Sequence, residues 1–164
     1  MAYLLDSNVF IEANNRYYAF DICPGFWGWL RTAHDAGRVF SIESVKQELT
    51  SRDDDLSTWV EALPGSFFLP VTAADMPGLA TVSTQVTTMG YEPAAINDFL
   101  AVADFFLIAQ AQVAGHTVIT HEVFASSAKK IKIPNVCIPL RVPFMTPFAM
   151  LRAERARFVL SNPS

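Results

Sequence analysis

Near its amino terminus the chain contains the sequence YLLDSNVFI, from Tyr3 to Ile11. The apolar run before Asp6 predicts a buried strand that ends at Asp6. The helical spacing of the apolar residues after it predicts a helix that starts near Asn8. Because ligands of open α/β sheets bind at the carboxyl ends of the strands, Asp6 is the first candidate for chemistry. Taken alone, Asp6 is explained equally well as the cap of the following helix.

The composition favours one domain with a large core. The chain has 164 residues, of which 51% are hydrophobic and 17% charged, and we expect a single domain over residues 1–164. The net charge of -4 argues against a broadly basic surface, although not against a nucleic-acid substrate. Cys23 and Cys137 lack C-x-x-C spacing and are expected to be free thiols. Polar residues interrupt the longest apolar segment, residues 99–119, so we expect no membrane association and a cytoplasmic location.

Strand and helix patterns alternate along the rest of the chain. Further strands are predicted at residues 38–42, 67–71, 117–120 and 144–146. Helices are predicted from residue 24 or 26 to about 36, around 45–49, through 59–63, from 75–77 to about 89, and over 101–114 and 147–158. Residues 133–142 contain prolines and are expected to be mostly irregular. The alternation predicts a three-layer α/β/α domain with a mostly parallel central sheet.

Four acidic residues fall at equivalent places in this predicted sheet. Asp6 ends the first strand, Glu122 follows the 117–120 strand, and Glu48 and Asp104 lie in helices near the same edge. Carboxylates that share a pocket need raised pKa values or bound cations, and oxygen ligands favour Mg²⁺ or Mn²⁺. Such ions bridge phosphate oxygens and activate water, so the pattern points to phosphodiester hydrolysis.

Each of these acids also has an ordinary explanation when it is considered alone. Glu48 fits an exposed helical residue, and Glu122 fits an acid in a loop. Asp104 fits an acid in the first turn of a helix, where the helix dipole favours negative charge.

Four motifs resemble those of PIN domains in order and approximate spacing across nearly the whole chain. They are LLDSNVFI at residues 4–11, SVKQEL at 44–49, ADFFLIA at 103–109 and GHTVIT at 115–120. Residues 17–22, 26–27 and 130–137 are similar to a bacterial PIN-like subfamily labelled as a domain of unknown function. The resemblance implies a Mg²⁺- or Mn²⁺-dependent ribonuclease of the VapC-like toxin type. It also implies an RNA substrate, a cognate antitoxin and a homodimer.

The resemblance assigns roles by position. Asp6, Glu48 and Asp104 match three metal-binding acids, and Thr120 matches the Ser or Thr that precedes the fourth. Glu122 falls where many PIN domains have Asp, so it is the fourth candidate for the catalytic metal site. Asn8 is expected to orient Asp6 rather than to bind metal.

The remaining candidates concern the substrate. Arg16, Lys129 and Lys130 are candidates for contacts with the RNA phosphates. Two other interpretations stay open: a non-catalytic PIN-like module that binds protein or RNA, and an aspartyl-phosphate enzyme with Asp6 as nucleophile. The second lacks a lysine at a convincing partner position.

Overall fold

The computed structural model describes residues 1–161 and contains one sheet of five parallel strands. The strands are β1 (Tyr3–Leu5), β2 (Val39–Ile42), β3 (Phe68–Leu69), β4 (Thr117–Ile119) and β5 (Phe144–Met145). Their order across the sheet is β3-β2-β1-β4-β5, which places β1 in the middle. Every pair of neighbours is parallel, with Tyr3 opposite both Val39 and Thr117.

Helices cover both faces of the sheet and complete a three-layer α/β/α fold, as predicted. The α-helices of residues 1–161 are α1 (Ser7–Glu12), α2 (Pro24–Asp35), α3 (Glu43–Leu49), α4 (Asp55–Glu61), α5 (Met76–Thr87), α6 (Pro93–Leu100), α7 (Ala103–Ala114), α8 (Ile133–Leu140) and α9 (Pro147–Ala153). A π-helical turn, Ala13–Tyr17, directly continues α1. In the same residues no single helix is long and apolar enough to cross a membrane. Together α6 and α7 pass that test by length and composition, but a bend of 68° separates them.

The core explains why β1 has no polar residue before Asp6. Leu4 and Leu5 are fully buried because helices pack on both faces of a parallel sheet, which therefore takes a continuous apolar run. Helix α7 also has buried residues on several sides, including Leu107, Ile108 and Ala111. Asp6, the first charged residue after the apolar run of β1, therefore follows directly on a buried strand.

The prediction of irregular structure at residues 133–142 is wrong, since α8 occupies most of that segment. Pro134 lies in the first turn, where a missing backbone N–H costs no hydrogen bond. Pro139 lies one residue before the helix ends, and Arg141 then adopts a left-handed conformation with φ of 55°. The prediction failed because prolines at both ends of a short helix give the same sequence pattern as prolines that prevent a helix.

Other differences from prediction concern where helices begin and end. The sequence patterns do not predict α6, because Pro93 begins this helix instead of only ending the preceding one. The helix predicted over 101–114 begins at Ala103, after an extended Val102. The last helix ends at Ala153 rather than at residue 158, and Arg155 has a left-handed φ of 55°.

Helices α5 and α7 pack so closely that Gly78 is required at their crossing. A Cβ atom at Gly78 would lie 2.5 Å from Val113 Cγ2 and 2.7 Å from the Ala109 carbonyl oxygen. We expect Gly78→Ala to lower the free energy of unfolding by about 1–3 kcal/mol, as overpacking does. Urea denaturation monitored by circular dichroism measures the change.

Gly28, in α2, provides the matched control. A Cβ atom there meets nothing within 4 Å, so Gly28→Ala is expected to be neutral or to stabilise the protein through helix propensity by at most about 1 kcal/mol. If Gly78→Ala proves as stable as the wild type, the close packing of α5 on α7 is refuted.

Candidate active site

The side chain of Asp6 is buried at the carboxyl end of the central strand, with a relative exposure of 1%. Its Oδ2 atom accepts a hydrogen bond from Thr120 Oγ1 at 3.0 Å, and Oδ1 lies 3.4 Å from the Ser7 hydroxyl, which donates to it. Asp6 precedes α1, yet its side chain makes no capping hydrogen bond. The interpretation of Asp6 as a helix cap therefore loses its basis.

The parallel pairing of β1 with β4 brings Thr120 to Asp6. Leu5 lies opposite Ile119, and the backbone N–H of Asp6 donates to the Ile119 carbonyl at 2.9 Å. The next residue on each strand then emerges at the same edge. The Thr120 hydroxyl also accepts a hydrogen bond from the Glu122 backbone N–H at 3.0 Å, so one side chain fixes both the carboxylate and the loop after β4.

Burial and mutual repulsion raise the pKa values of two acids. The pKa of Asp104, in the first turn of α7, is raised to about 8 by burial and then by the charges of Asp6, Glu122 and Glu48, with Lys130 opposing them. Burial also raises the pKa of Asp6 to about 7, with further contributions from Glu122 and Glu48, while the hydrogen bond from Thr120 lowers it. The four predicted acids thus lie within electrostatic range of one another, and their negative charge is poorly compensated.

Glu122 has bonding partners for both of its carboxylate oxygens. Oε1 accepts a hydrogen bond from the backbone N–H of Ile133 at 2.8 Å, at the start of α8. Oε2 lies 3.8 Å from Lys132 Nζ. Glu122 therefore links the acidic cluster to α8, and these contacts compete with any role as a metal ligand.

Glu48 is exposed and lies on one side of the cluster. It lines a groove of about 280 Å³ together with Asn14, Asn15 and Arg52. These three polar residues could not be singled out from sequence, because Asn14 and Asn15 lie in the π-helical turn, Arg52 follows α3, and no motif links the two segments. Their proximity to Glu48 depends on how α3 packs against α1 and its π-helical extension.

The predicted substrate-binding residues are divided between two places. Lys129 and Lys130 are exposed and line a second groove, of about 250 Å³, that also contains Asp104. Arg16 forms an ion pair with Glu12 at 3.0 Å. Asn8 makes no side-chain hydrogen bond within residues 1–161, so the contacts that orient Asp6 come from Thr120 and Ser7.

The donor atoms at this site fit a hard divalent cation bound by few protein ligands. Among residues 1–161, no three His, Cys, Asp or Glu side chains are spaced to hold one metal ion together. Magnesium, however, commonly retains several waters and uses only one or two carboxylates together with substrate phosphates. Asp6 and Asp104 provide such oxygens, and a cation would relieve the repulsion that raises their pKa values.

A family model covers nearly the whole of this architecture. The family described as a domain of unknown function, DUF4411, matches residues 3–158. The chain belongs to the DUF4411 family. No curated protein and no solved structure matches the chain. Membership of DUF4411 agrees with the resemblance to a subfamily labelled as a domain of unknown function, while the relationship to PIN domains stays a prediction.

The raised pKa values predict a definite pH dependence of stability. Asp6 and Asp104 have pKa values of about 7 and about 8 against an ordinary value of 3.8, so the folded protein binds protons more tightly than the unfolded chain between those limits. The free energy of unfolding contributed by these two groups therefore falls as the pH rises from about 4 to about 8. The slope reaches at most about 1.4 kcal/mol per pH unit for each group.

Urea denaturation of metal-free protein across this pH range measures the slope. We expect Asp6→Asn and Asp104→Asn each to flatten it, and the control Asp53→Asn, at an exposed acid, to leave it unchanged. Equal slopes in all four proteins would contradict the repulsion between Asp6 and Asp104.

Proposed function

We propose that the chain is a metal-dependent endoribonuclease of the PIN-domain type that hydrolyses phosphodiester bonds of single-stranded RNA. The observation that carries the proposal is the pair of carboxyl groups at the carboxyl edge of the sheet, buried Asp6 and half-buried Asp104, whose charges repel one another. Two acids in such an arrangement favour a bound cation over two stable ionised carboxylates. A Mg²⁺ or Mn²⁺ ion bound there supplies a Lewis acid for an attacking water and for the leaving oxygen.

In this proposal the protein's own side chains orient the site. The Thr120 hydroxyl donates a hydrogen bond to Oδ2 of Asp6, which fixes the plane of the carboxylate and thereby the position of Oδ1. Asp104 lies in the first turn of α7, where the helix dipole stabilises its negative charge. Glu48 adds negative charge from its exposed position, and Glu122 supports the cluster from the loop anchored on Lys132 and Ile133.

The two grooves suggest a path for the RNA across this site. Lys129 and Lys130 line the groove beside Asp104, and Arg52 lines the groove beside Glu48. Exposed cations on either side of an acidic centre can neutralise phosphates that flank the scissile bond.

The biological setting that we propose follows from the resemblance of the four sequence motifs to those of PIN domains. A ribonuclease of the VapC-like type is the toxin of a toxin–antitoxin pair, so we propose a cognate antitoxin as partner, a homodimeric assembly and a cytoplasmic location, where RNA is available. A small regulator encoded beside the gene would support this setting.

Cleavage of a labelled single-stranded RNA, with and without Mg²⁺ or Mn²⁺, tests the proposal. We expect activity to be abolished by EDTA and restored by either ion. Asp6→Asn and Asp104→Asn are expected to reduce the rate by at least about 100-fold, the effect of losing a major electrostatic contribution. Asp53→Asn is the matched control and is expected to be unaffected. Undiminished cleavage by both site variants would refute the assignment.

Thr120 and Glu122 are expected to act through the acids that they contact. Thr120→Val removes the hydroxyl while preserving shape, and a loss of about 10- to 100-fold is expected for such an outer-shell partner, whereas Thr120→Ser keeps the hydrogen bond and most of the activity. Glu122→Gln is expected to lose about tenfold, because an amide oxygen still accepts from Ile133. A Thr120→Val enzyme as active as the wild type would exclude Thr120 from positioning Asp6.

A second candidate function is a non-catalytic PIN-like module that binds protein or RNA. Two observations favour it: within residues 1–161 no three potential ligands are spaced to hold one ion, and both oxygens of Glu122 already have partners. It predicts RNA binding without cleavage at any concentration of Mg²⁺ or Mn²⁺, so the same assay distinguishes the two functions.

A further inference from the structure

Three aromatic side chains from different parts of the chain form a cluster with a partly exposed ring. Tyr17 stacks on His121 with ring centroids 5.4 Å apart and an angle of 28° between the rings. Phe148 lies perpendicular to Tyr17 at 5.1 Å and also contacts His121 at 5.6 Å. Tyr17 nevertheless remains 46% exposed, while His121 and Phe148 are half-buried. The two inner rings thus hold the outer ring in a fixed orientation.

This aromatic cluster borders the acidic site. His121 directly follows Thr120, whose hydroxyl donates to Asp6, and directly precedes Glu122. Tyr17 ends the π-helical turn that continues α1, the helix that begins immediately after Asp6. Single turns of π-helix are rare and are found frequently at functional sites. Here the turn presents Tyr17 beside the loop that carries His121.

We propose that Tyr17, supported by His121 and Phe148, is a stacking platform for one nucleobase of a single-stranded RNA bound at the acidic site. The inference rests on the proposed function for the identity of the substrate. Bases of single-stranded nucleic acid stack on aromatic side chains, with little dependence on sequence because every base has a π-face. A ring that is already fixed by its neighbours loses little conformational entropy when a base stacks on it.

The charges around the cluster favour RNA over an apolar protein partner. Arg16 immediately precedes Tyr17, and its side chain is 71% exposed. Arg152 is exposed and lies one turn beyond Phe148 on α9. Each of the two helical elements that carry the platform thus has an exposed arginine near the phosphates beside a stacked base, although Arg16 would have to exchange its ion pair with Glu12 for a phosphate. Glu12 pairs with Arg16 and lies within electrostatic range of His121, so Arg152 is the cation of the two that has no such partner among residues 1–161. A single half-exposed ring is also a small surface for a protein interface.

Binding of a fluorescein-labelled single-stranded RNA, measured by anisotropy in an Asp104→Asn background with Mg²⁺ present, tests the proposal. Tyr17→Ala and Tyr17→Leu are expected to weaken binding by about 5- to 150-fold, the range measured for loss of one base–aromatic stack. Tyr17→Phe preserves the ring face and is the matched control, with affinity expected to stay within about twofold of the background. Thermal unfolding of each variant verifies that it is folded.

An RNA series with one abasic position at a time identifies a base contact directly. Removal of the base at one position is expected to weaken RNA binding to the protein that retains Tyr17. The same removal is expected to have no further effect on binding to Tyr17→Leu, since both changes remove the same stack. Equal RNA affinity of Tyr17, Tyr17→Leu and Tyr17→Ala would overturn the platform. So would a Tyr17→Leu effect confined to self-association in sedimentation, or the absence of RNA binding.

The cleavage assay keeps this inference separate from the proposed function. RNA cleavage that depends on Asp6 but not on Tyr17 would overturn the platform alone. RNA binding that depends on Tyr17 without cleavage by the wild type would overturn the ribonuclease alone and leave the platform intact.

Discussion

The hydrogen bond from Thr120 to Asp6 joins the central strand β1 to its neighbour β4 at the edge where both strands end. It forms because β1 and β4 are parallel and in register up to Leu5 and Ile119, so that the next residues meet. It offsets only part of the cost of burying a carboxylate between apolar layers, and the pKa of Asp6 stays raised to about 7. At this site the sheet thus holds a carboxyl group whose burial disfavours its ionised form more than the hydrogen bond from Thr120 favours it. Helix α7 places the carboxyl group of Asp104 nearby, which adds repulsion between negative charges instead of compensating them.

Burial and charge repulsion separate the acids into different physical roles. Asp6 is buried, Asp104 is half-buried, and their charges repel each other, so a bound cation would stabilise these two groups most. Glu48 is exposed, and Glu122 is held by Ile133 and Lys132, so both shape the field around the pair from outside it. The basic residues lie in flanking grooves rather than against Asp6, which leaves the centre negative and its margins open to phosphates. Local positive charge in the grooves would allow a protein with a net negative charge to bind a polyanion.

The sheet, and the meeting of Asp6 with Thr120 at its edge, could be predicted from sequence because each depends on a local pattern. The roles of Glu48 and Asp104, which lie in helices, came from the resemblance to PIN domains and stay a prediction. An apolar run ending in Asp6, and β-branched residues ending at Thr120, mark strand ends, and parallel topology then places those ends together. Helices α6 and α8 escaped prediction because Pro93 and Pro134 begin helices as readily as they end them. The engagement of Glu122 by Ile133 and the stacking of Tyr17 on His121 join segments distant in sequence. No local pattern encodes such contacts, so only the packed structure could provide them.

Titration calorimetry with Mn²⁺ at neutral pH tests the central claim most directly, because it asks whether the repelling carboxyl pair binds a cation without requiring any substrate. The account predicts saturable binding to the wild-type protein and to Asp53→Asn. At least about tenfold weaker binding is expected for Asp6→Asn and for Asp104→Asn, because loss of an outer-shell partner alone typically costs about 10- to 100-fold in metal affinity. Binding of equal strength by all four proteins, or no binding by the wild type, would contradict it.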